Sequence, residues 1–146
     1  MISRTNHVSF TVSNLDASVV FYRDVLGLRL MDISDRDSEF SEKVTGIKGA
    51  RLRIAYLSAE NCSIELIQYL APEGKKIDTA TCNVGSAHVC FDVEGFDDFM
   101  KRLRRHNVRM VSEPQQIPAG PNKGRKVVYT EDPDNNTLEF VSKEKF

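Results

Sequence analysis

His88-Val-Cys-Phe-Asp-Val-Glu-Gly-Phe-Asp97 repeats a statement made at residues 7–16, His7-Val-Ser-Phe-Thr-Val-Ser-Asn-Leu-Asp16. Laid side by side, His7 matches His88, Val8 matches Val89, Phe10 matches Phe91, Val12 matches Val93 and Asp16 matches Asp97. A helical pattern follows each stretch, then Gly27-Leu-Arg-Leu30 in one copy and Asn107-Val-Arg-Met110 in the other. Further along, Ile64-Glu65-Leu66-Ile67 is echoed by Leu138-Glu139-Phe140-Val141. Repetition on this scale marks two copies of one supersecondary unit. Each copy carries one His near its start and one Glu near its end.

The local pattern gives the unit its order. From His7 to Val12 the chain alternates, with Val8, Phe10 and Val12 on one face and His7, Ser9 and Thr11 on the other, which predicts a strand backed by a core on one side. Ser13-Asn-Leu-Asp16 resembles a capping box with Asp in place of Glu. Leu15, Val19, Tyr22 and Leu26 then form a helical stripe, and Gly27 suits a left-handed cap. Strands are predicted over 28–33, 50–58 and 63–70, with a polar loop over 34–48 that holds at most a short helix at 41–44. In the last strand Glu65, Ile67 and Tyr69 share a face opposite Ile64 and Leu66. The first copy reads β-α-β-β-β.

Residues 71–86 hold Pro72, Gly74 and Gly85 with little periodicity, and read as a connector. The pattern then restarts. His88, Cys90 and Asp92 oppose Val89, Phe91 and Val93, and Phe96, Phe99, Met100 and Leu103 mark a second helix ending near Asn107. Strands are expected over 109–112, 126–130 and 137–142, with a Pro/Gly loop over 113–123 and a turn at Asp132-Pro-Asp-Asn-Asn136. The second copy is again β-α-β-β-β. The organisation expected is one domain over 1–146, with modules over about 1–70 and 87–146.

Composition narrows the partners. A net charge of -1 gives no electrostatic reason for nucleic acid or membrane binding. Cys62, Cys82 and Cys90 form no paired framework and read as free thiols of a reducing cytoplasm. No signal-peptide pattern opens the chain, and no apolar run nears the ~18–20 residues of a membrane span. The expectation is a cytoplasmic protein with 40% hydrophobic residues, enough for a core.

Chemistry enters with the duplicated residues. Imidazole nitrogen and carboxylate oxygen together suit divalent Zn, Ni, Co, Mn or Fe. A carboxylate inside an apolar strand, as in Ile64-Glu65-Leu66 and Leu138-Glu139-Phe140, needs a cation or a shifted pKa unless it lies at an edge open to water. Two His and two Glu would leave a six-coordinate ion two open positions. Duplicate sheets about a pseudo-twofold axis would turn these faces to one cavity. The simpler reading of each residue alone is a hydrogen-bonded His or an edge-exposed Glu.

The run from His7 through Phe21-Tyr22 to Gly27-Leu28, and the closing Asp132-Pro-Asp-Asn-Asn-Thr-Leu-Glu139, resemble the two signatures of the vicinal oxygen chelate superfamily. That superfamily includes glyoxalase I, acyl-CoA epimerases, fosfomycin-resistance enzymes, bleomycin-resistance proteins and extradiol dioxygenases. The resemblance covers nearly the whole chain. It implies an α+β fold of two tandem βαβββ modules, forming an incomplete mixed/antiparallel barrel around a metal with helices outside. It implies one divalent ion held at positions matching His7, Glu65, His88 and Glu139, with Glu139 also able to serve as base. It implies a small oxygenated substrate chelated through adjacent oxygens, and a homodimer. Dioxygenases leave the position of Glu65 unused and drug-sequestering members lack the metal set, so Glu65 tilts the reading to a lyase or isomerase of the glyoxalase I type. The alternatives are an acyl-CoA epimerase, an Fe(II) ring-cleaving dioxygenase and a metal-free drug- or metabolite-binding protein. Two departures count. Thr11 stands where glyoxalase I commonly has a glutathione-binding Arg, and Arg51 and Arg53 stand where methylmalonyl-CoA epimerase has a second catalytic Glu. Arg53, Tyr69 and Cys90 are the candidate substrate contacts.

Overall fold

The computed structural model of the protein describes all of Met1–Phe146. The chain divides into two compact units, Met1–Ile77 and Asp78–Phe146. In the first, β1 (His7–Thr11) leads to α1 (Leu15–Val20), which continues into a π-helical turn over Phe21–Val25. Then come β2 (Arg29–Arg36), α2 (Ser38–Thr45), β3 (Arg51–Ala59) and β4 (Cys62–Ala71). The strand order is β1-β4-β3-β2, with β1 parallel to β4 and the other pairs antiparallel. In the second unit β5 (Val89–Val93), α3 (Phe96–Arg105), β6 (Arg109–Met110), β7 (Gln115–Gln116), β8 (Lys126–Glu131) and β9 (Thr137–Ser142) follow in turn. The order is β5-β9-β8-β6, with β7 also on β8 and β5 parallel to β9. The fold is α+β: two units on the βαβββ plan that the repeat predicts, with α2 inserted in the first and the short β7 added in the second, each with an open mixed sheet.

The alternation of the strands sorts each sheet into two faces. In the first unit the apolar face gathers Val8 beside Ile64 and Phe10 beside Leu66, with Ala55 and Leu57 across from them. Helix α1 covers this face with Leu15 and Val19, and the π-helical turn adds Tyr22, all buried. Its backbone is tied there, since the Leu15 N–H donates to Gln68 Oε1 at 2.9 Å. In the second unit the predicted stripe of α3 supplies Phe96, Met100 and Leu103, which are buried. Phe140 is the centre of this core, stacked on Phe91 at 5.8 Å and edge-on to Phe99 at 4.8 Å.

Several boundaries differ from the expectation. The cap of α1 is Asn14, whose side chain accepts from the Ala17 N–H at 3.0 Å, and not Ser13. The polar stretch 34–48 is ordered: β2 runs on to Arg36, and α2 follows. Asp37 caps α2 by accepting from the Phe40 N–H at 2.9 Å, and Gly46 ends it at φ 69°. Periodicity hid this helix because Phe40 and Val44 point to solvent, leaving no buried stripe to detect. His88 lies one residue before β5, β6 is shorter than 109–112, and β7 interrupts the predicted loop.

The β8–β9 turn is built by one carboxylate. Asp132 Oδ1 accepts from the N–H groups of Asp134 and Asn136, while Oδ2 accepts from Asn136 Nδ2. Asn135 takes the left-handed conformation at φ 69°, which Asn tolerates better than other side-chain-bearing residues. The turn delivers Thr137 and Leu138 buried, so the register of Glu139 on β9 is fixed from its first residue.

Replacing Phe140, which is 2% exposed, with Ala is expected to destabilise the protein by about 3–5 kcal/mol, read from urea unfolding. A loss below about 1 kcal/mol would contradict its place at the centre of the second core.

Candidate functional site

The parallel pairing of first and last strands places the duplicated residues. In the first unit Ser9 stands opposite Glu65, and His7 lies two residues before Ser9 on the same face. In the second Cys90 stands opposite Glu139, and His88 lies two residues before Cys90. The relation is identical in both. It lets the imidazole lean along the strand to the carboxylate: His7 Nε2 lies 3.2 Å from Glu65 Oε2, and His88 Nε2 lies 3.1 Å from Glu139 Oε2. The structure thus pairs the four expected residues two by two, His7 with Glu65 and His88 with Glu139, one pair within each unit. No group of three or more His, Cys, Asp and Glu side chains forms.

The pairs differ in burial. The Glu65 side chain is 8% exposed and that of Glu139 is 19%, while both imidazoles are about one-third open. His7 is steadied from behind, with Nδ1 2.8 Å from Asn6 Oδ1. Each imidazole therefore presents Nε2 toward its carboxylate.

A tyrosine stands across from each Glu, a duplication the sequence reading missed. Tyr56 on β3 is in register with Glu65, and Tyr129 on β8 is in register with Glu139. Tyr56 Oη donates to Glu65 Oε1. Its ring also meets His7 edge-on at 5.8 Å. Tyr129 packs on His88 at 5.1 Å, with Oη 3.5 Å from Nε2. Burial raises the phenol pKa of both; the Glu65 hydrogen bond adds to it for Tyr56, and the Glu139 charge for Tyr129. Both phenols stay protonated, as donors, through the physiological range.

The other candidates fare differently. Tyr69 shares the face of Glu65 and lies two strand positions beyond Ile67. Cys90 is beside Glu139, and packing around the thiol, followed by the Glu139 charge, pushes its pKa up to about 12. That shift favours the protonated thiol over the nucleophilic thiolate. Arg53 lies on the opposite face, in register with Gln68. There it pairs with Asp16 at 3.1 Å and Asp35 at 3.8 Å, so the substrate role expected for it is not supported by its position.

Glu65 and Glu139 stand on interior strands, whereas His7 lies on the edge strand β1 and His88 one residue before the edge strand β5. Imidazole nitrogen and carboxylate oxygen, the donors each pair offers, are of the kind that suits a divalent first-row ion.

Residues 4–140 match the family described as Glyoxalase/Bleomycin resistance protein/Dioxygenase superfamily. The chain belongs to that superfamily. Among its relatives, a 2-epi-5-epi-valiolone epimerase from Actinomyces sp is 29% identical over 142 residues, covering 94% of this chain and 78% of the relative. A lactoylglutathione lyase from Neisseria meningitidis is 28% identical over 144 residues, covering 96% of this chain and 91% of the relative. A glyoxalase family protein from Bacillus cereus shares the fold with a TM-score of 0.82 at 25% identity, covering 97% of this chain and 95% of that one. The epimerase and the lyase are named for different reactions, and each is below 30% identity to this chain.

The Cys90 environment is open to test. At pH 8 iodoacetamide is expected to label exposed Cys82 well before Cys90, although Cys90 too is exposed. Glu139→Gln removes one of the charges that raise the Cys90 pKa, and its labelling should speed up. Unchanged labelling by mass spectrometry would contradict that coupling.

Proposed function

We propose that the protein is a metal-dependent lyase or isomerase of the glyoxalase type, moving a proton next to a carbonyl of a small oxygenated substrate. The observation that carries the reading is the duplicated His–Glu pair, His7–Glu65 and His88–Glu139, in the same strand register in both units. One divalent ion, of Zn, Ni, Co, Mn or Fe, would be held by a first-unit pair and a second-unit pair. When bound, such an ion polarises a chelated carbonyl and stabilises negative charge on its oxygen.

The protein's own residues supply the rest. His7 and His88 bring neutral nitrogens that cost little to desolvate. Glu65 is the more buried carboxylate and serves as a ligand. Glu139 is the more open one and serves as the base, taking the proton from the carbon beside the carbonyl and returning it. The apolar and aromatic side chains on the face of Glu65, among them Ile54, Ile67 and Tyr69, would exclude water and seat the substrate. The protein is proposed to act as a homodimer, with a small molecule as its partner.

The second reading is an epimerase, favoured by two observations. The epimerase relative spans 94% of this chain. Thr11, on the polar face of β1, offers no cation for a glutathione carboxylate. A substrate panel separates the readings: the hemithioacetal of methylglyoxal and glutathione on one side, cyclic 2-oxo polyols and 2-methyl-3-oxoacyl thioesters on the other.

Metal analysis of protein purified without chelator is expected to give about one equivalent of divalent ion per pair of units, lost in the His7→Ala/His88→Ala double variant. Absence of metal after reconstitution with each candidate ion would overturn the mechanism. Glu139→Gln is expected to lower turnover by about 10²–10⁴-fold, the usual worth of a general base. Glu65→Gln should weaken metal retention and turnover together; an Fe(II) ring-cleaving enzyme would tolerate that change.

A further inference from the structure

The two His–Glu pairs are duplicates in register but not in what holds the carboxylate. Tyr56 Oη donates to Glu65 Oε1, and His7 Nε2 faces Glu65 Oε2, so both oxygens of Glu65 are engaged. Tyr129 occupies the equivalent cross-strand position, yet its hydroxyl turns to His88 Nε2 at 3.5 Å. Glu139 keeps His88 on one oxygen at 3.1 Å. The Cys90 thiol also hydrogen-bonds to it, and an S–H is a much weaker donor than a phenol. The carboxylate with two strong partners is the buried one.

We propose that Tyr56 is a positioning residue that locks Glu65 in one geometry, while the turned-away Tyr129 leaves Glu139 free to change rotamer. The inference rests on the metal reading of the two pairs and deepens it. The duplication supplies four similar side chains, and two tyrosine orientations divide them into a fixed carboxylate and a movable one. A ligand whose second oxygen is held by a phenol presents the first oxygen ready-aligned, with less ordering left to do on binding. A base must instead swing between its resting partner and the substrate carbon, and a phenol bond would resist that swing.

The test compares Tyr56→Phe with Tyr129→Phe, each removing one hydroxyl and little else. Co(II) titration followed by its visible absorption is expected to show affinity falling by about 10-fold or more in Tyr56→Phe, as for loss of an outer hydrogen bond to a ligand. In Tyr129→Phe the affinity should stay within about threefold, inside the range of a neutral change. Thermal denaturation of the metal-free proteins is the control. Equal affinity losses in the two variants, or a drop in metal-free stability for Tyr56→Phe with Co(II) affinity unchanged, would overturn the lock.

A second readout does not depend on metal. In protein carrying ¹³C at the Glu carboxyls, the Glu65 resonance should shift and broaden in Tyr56→Phe, and the Glu139 resonance should be little changed in Tyr129→Phe. If wild-type protein takes up no Co(II), the metal reading fails, and the NMR comparison alone decides the lock. Shifts in both variants, or in neither, would show the two carboxylates to be held alike.

Discussion

Everything in the candidate site depends on one backbone arrangement, the parallel ladder between the first and last strands of each unit. A hairpin cannot make it, because a parallel partner must be reached by a crossover. Here α1 and the two antiparallel strands that follow it form that crossover, and α3 with its strands does so again. The last strand is thereby inserted beside the first. His and Glu, which lie 58 residues apart in one unit by the numbers 65 and 7, become neighbours across a single ladder. Side chains two positions apart along a strand differ by about 6.6 Å in height, a step that an imidazole and a carboxylate can jointly close.

That ladder also sets the electrostatic problem. β4 and β9 are interior strands with hydrogen-bonded partners on both sides, so their side chains have little room to escape to water. A carboxylate there must be compensated locally. Glu65, the more buried, has a phenol and an imidazole; Glu139 has an imidazole and a more open setting. The neighbouring groups register the charge: both tyrosines and Cys90 are held in their protonated forms. Each unit supplies such a His–Glu pair from its own strands and covers the reverse face of its sheet with its own helix.

Much of this was legible in the sequence, and the reasons are specific. Alternation around His7 and His88 announced half-buried strands, and the echo of Ile64-Glu65-Leu66 in Leu138-Glu139-Phe140 gave the second pair its register. The tyrosines were hidden by unequal turns. Tyr56 precedes Glu65 by nine residues, across a tight Glu60–Asn61 turn. Tyr129 precedes Glu139 by ten, across the five-residue Asp132–Asn136 turn. A direct alignment slips by one, and only a count outward from each turn would have matched them. Arg53 misled for a related reason: strand propensity says nothing of which face a residue takes. Its partners Asp16 and Asp35 are distant in sequence, and Gln68 opposite it belongs to the helix side.

The Asp132 turn has a consequence in time. By clamping the entry to β9 with three hydrogen bonds, it leaves the backbone at Glu139 no hinge. An excursion of that carboxylate is then a rotation about its own side-chain bonds, and at 19% exposure beside His88 it lacks the freedom that lets exposed side chains flip in picoseconds to nanoseconds. Motion at this position is a matter of one side chain's torsions and its neighbours' packing, with no loop rearrangement in it.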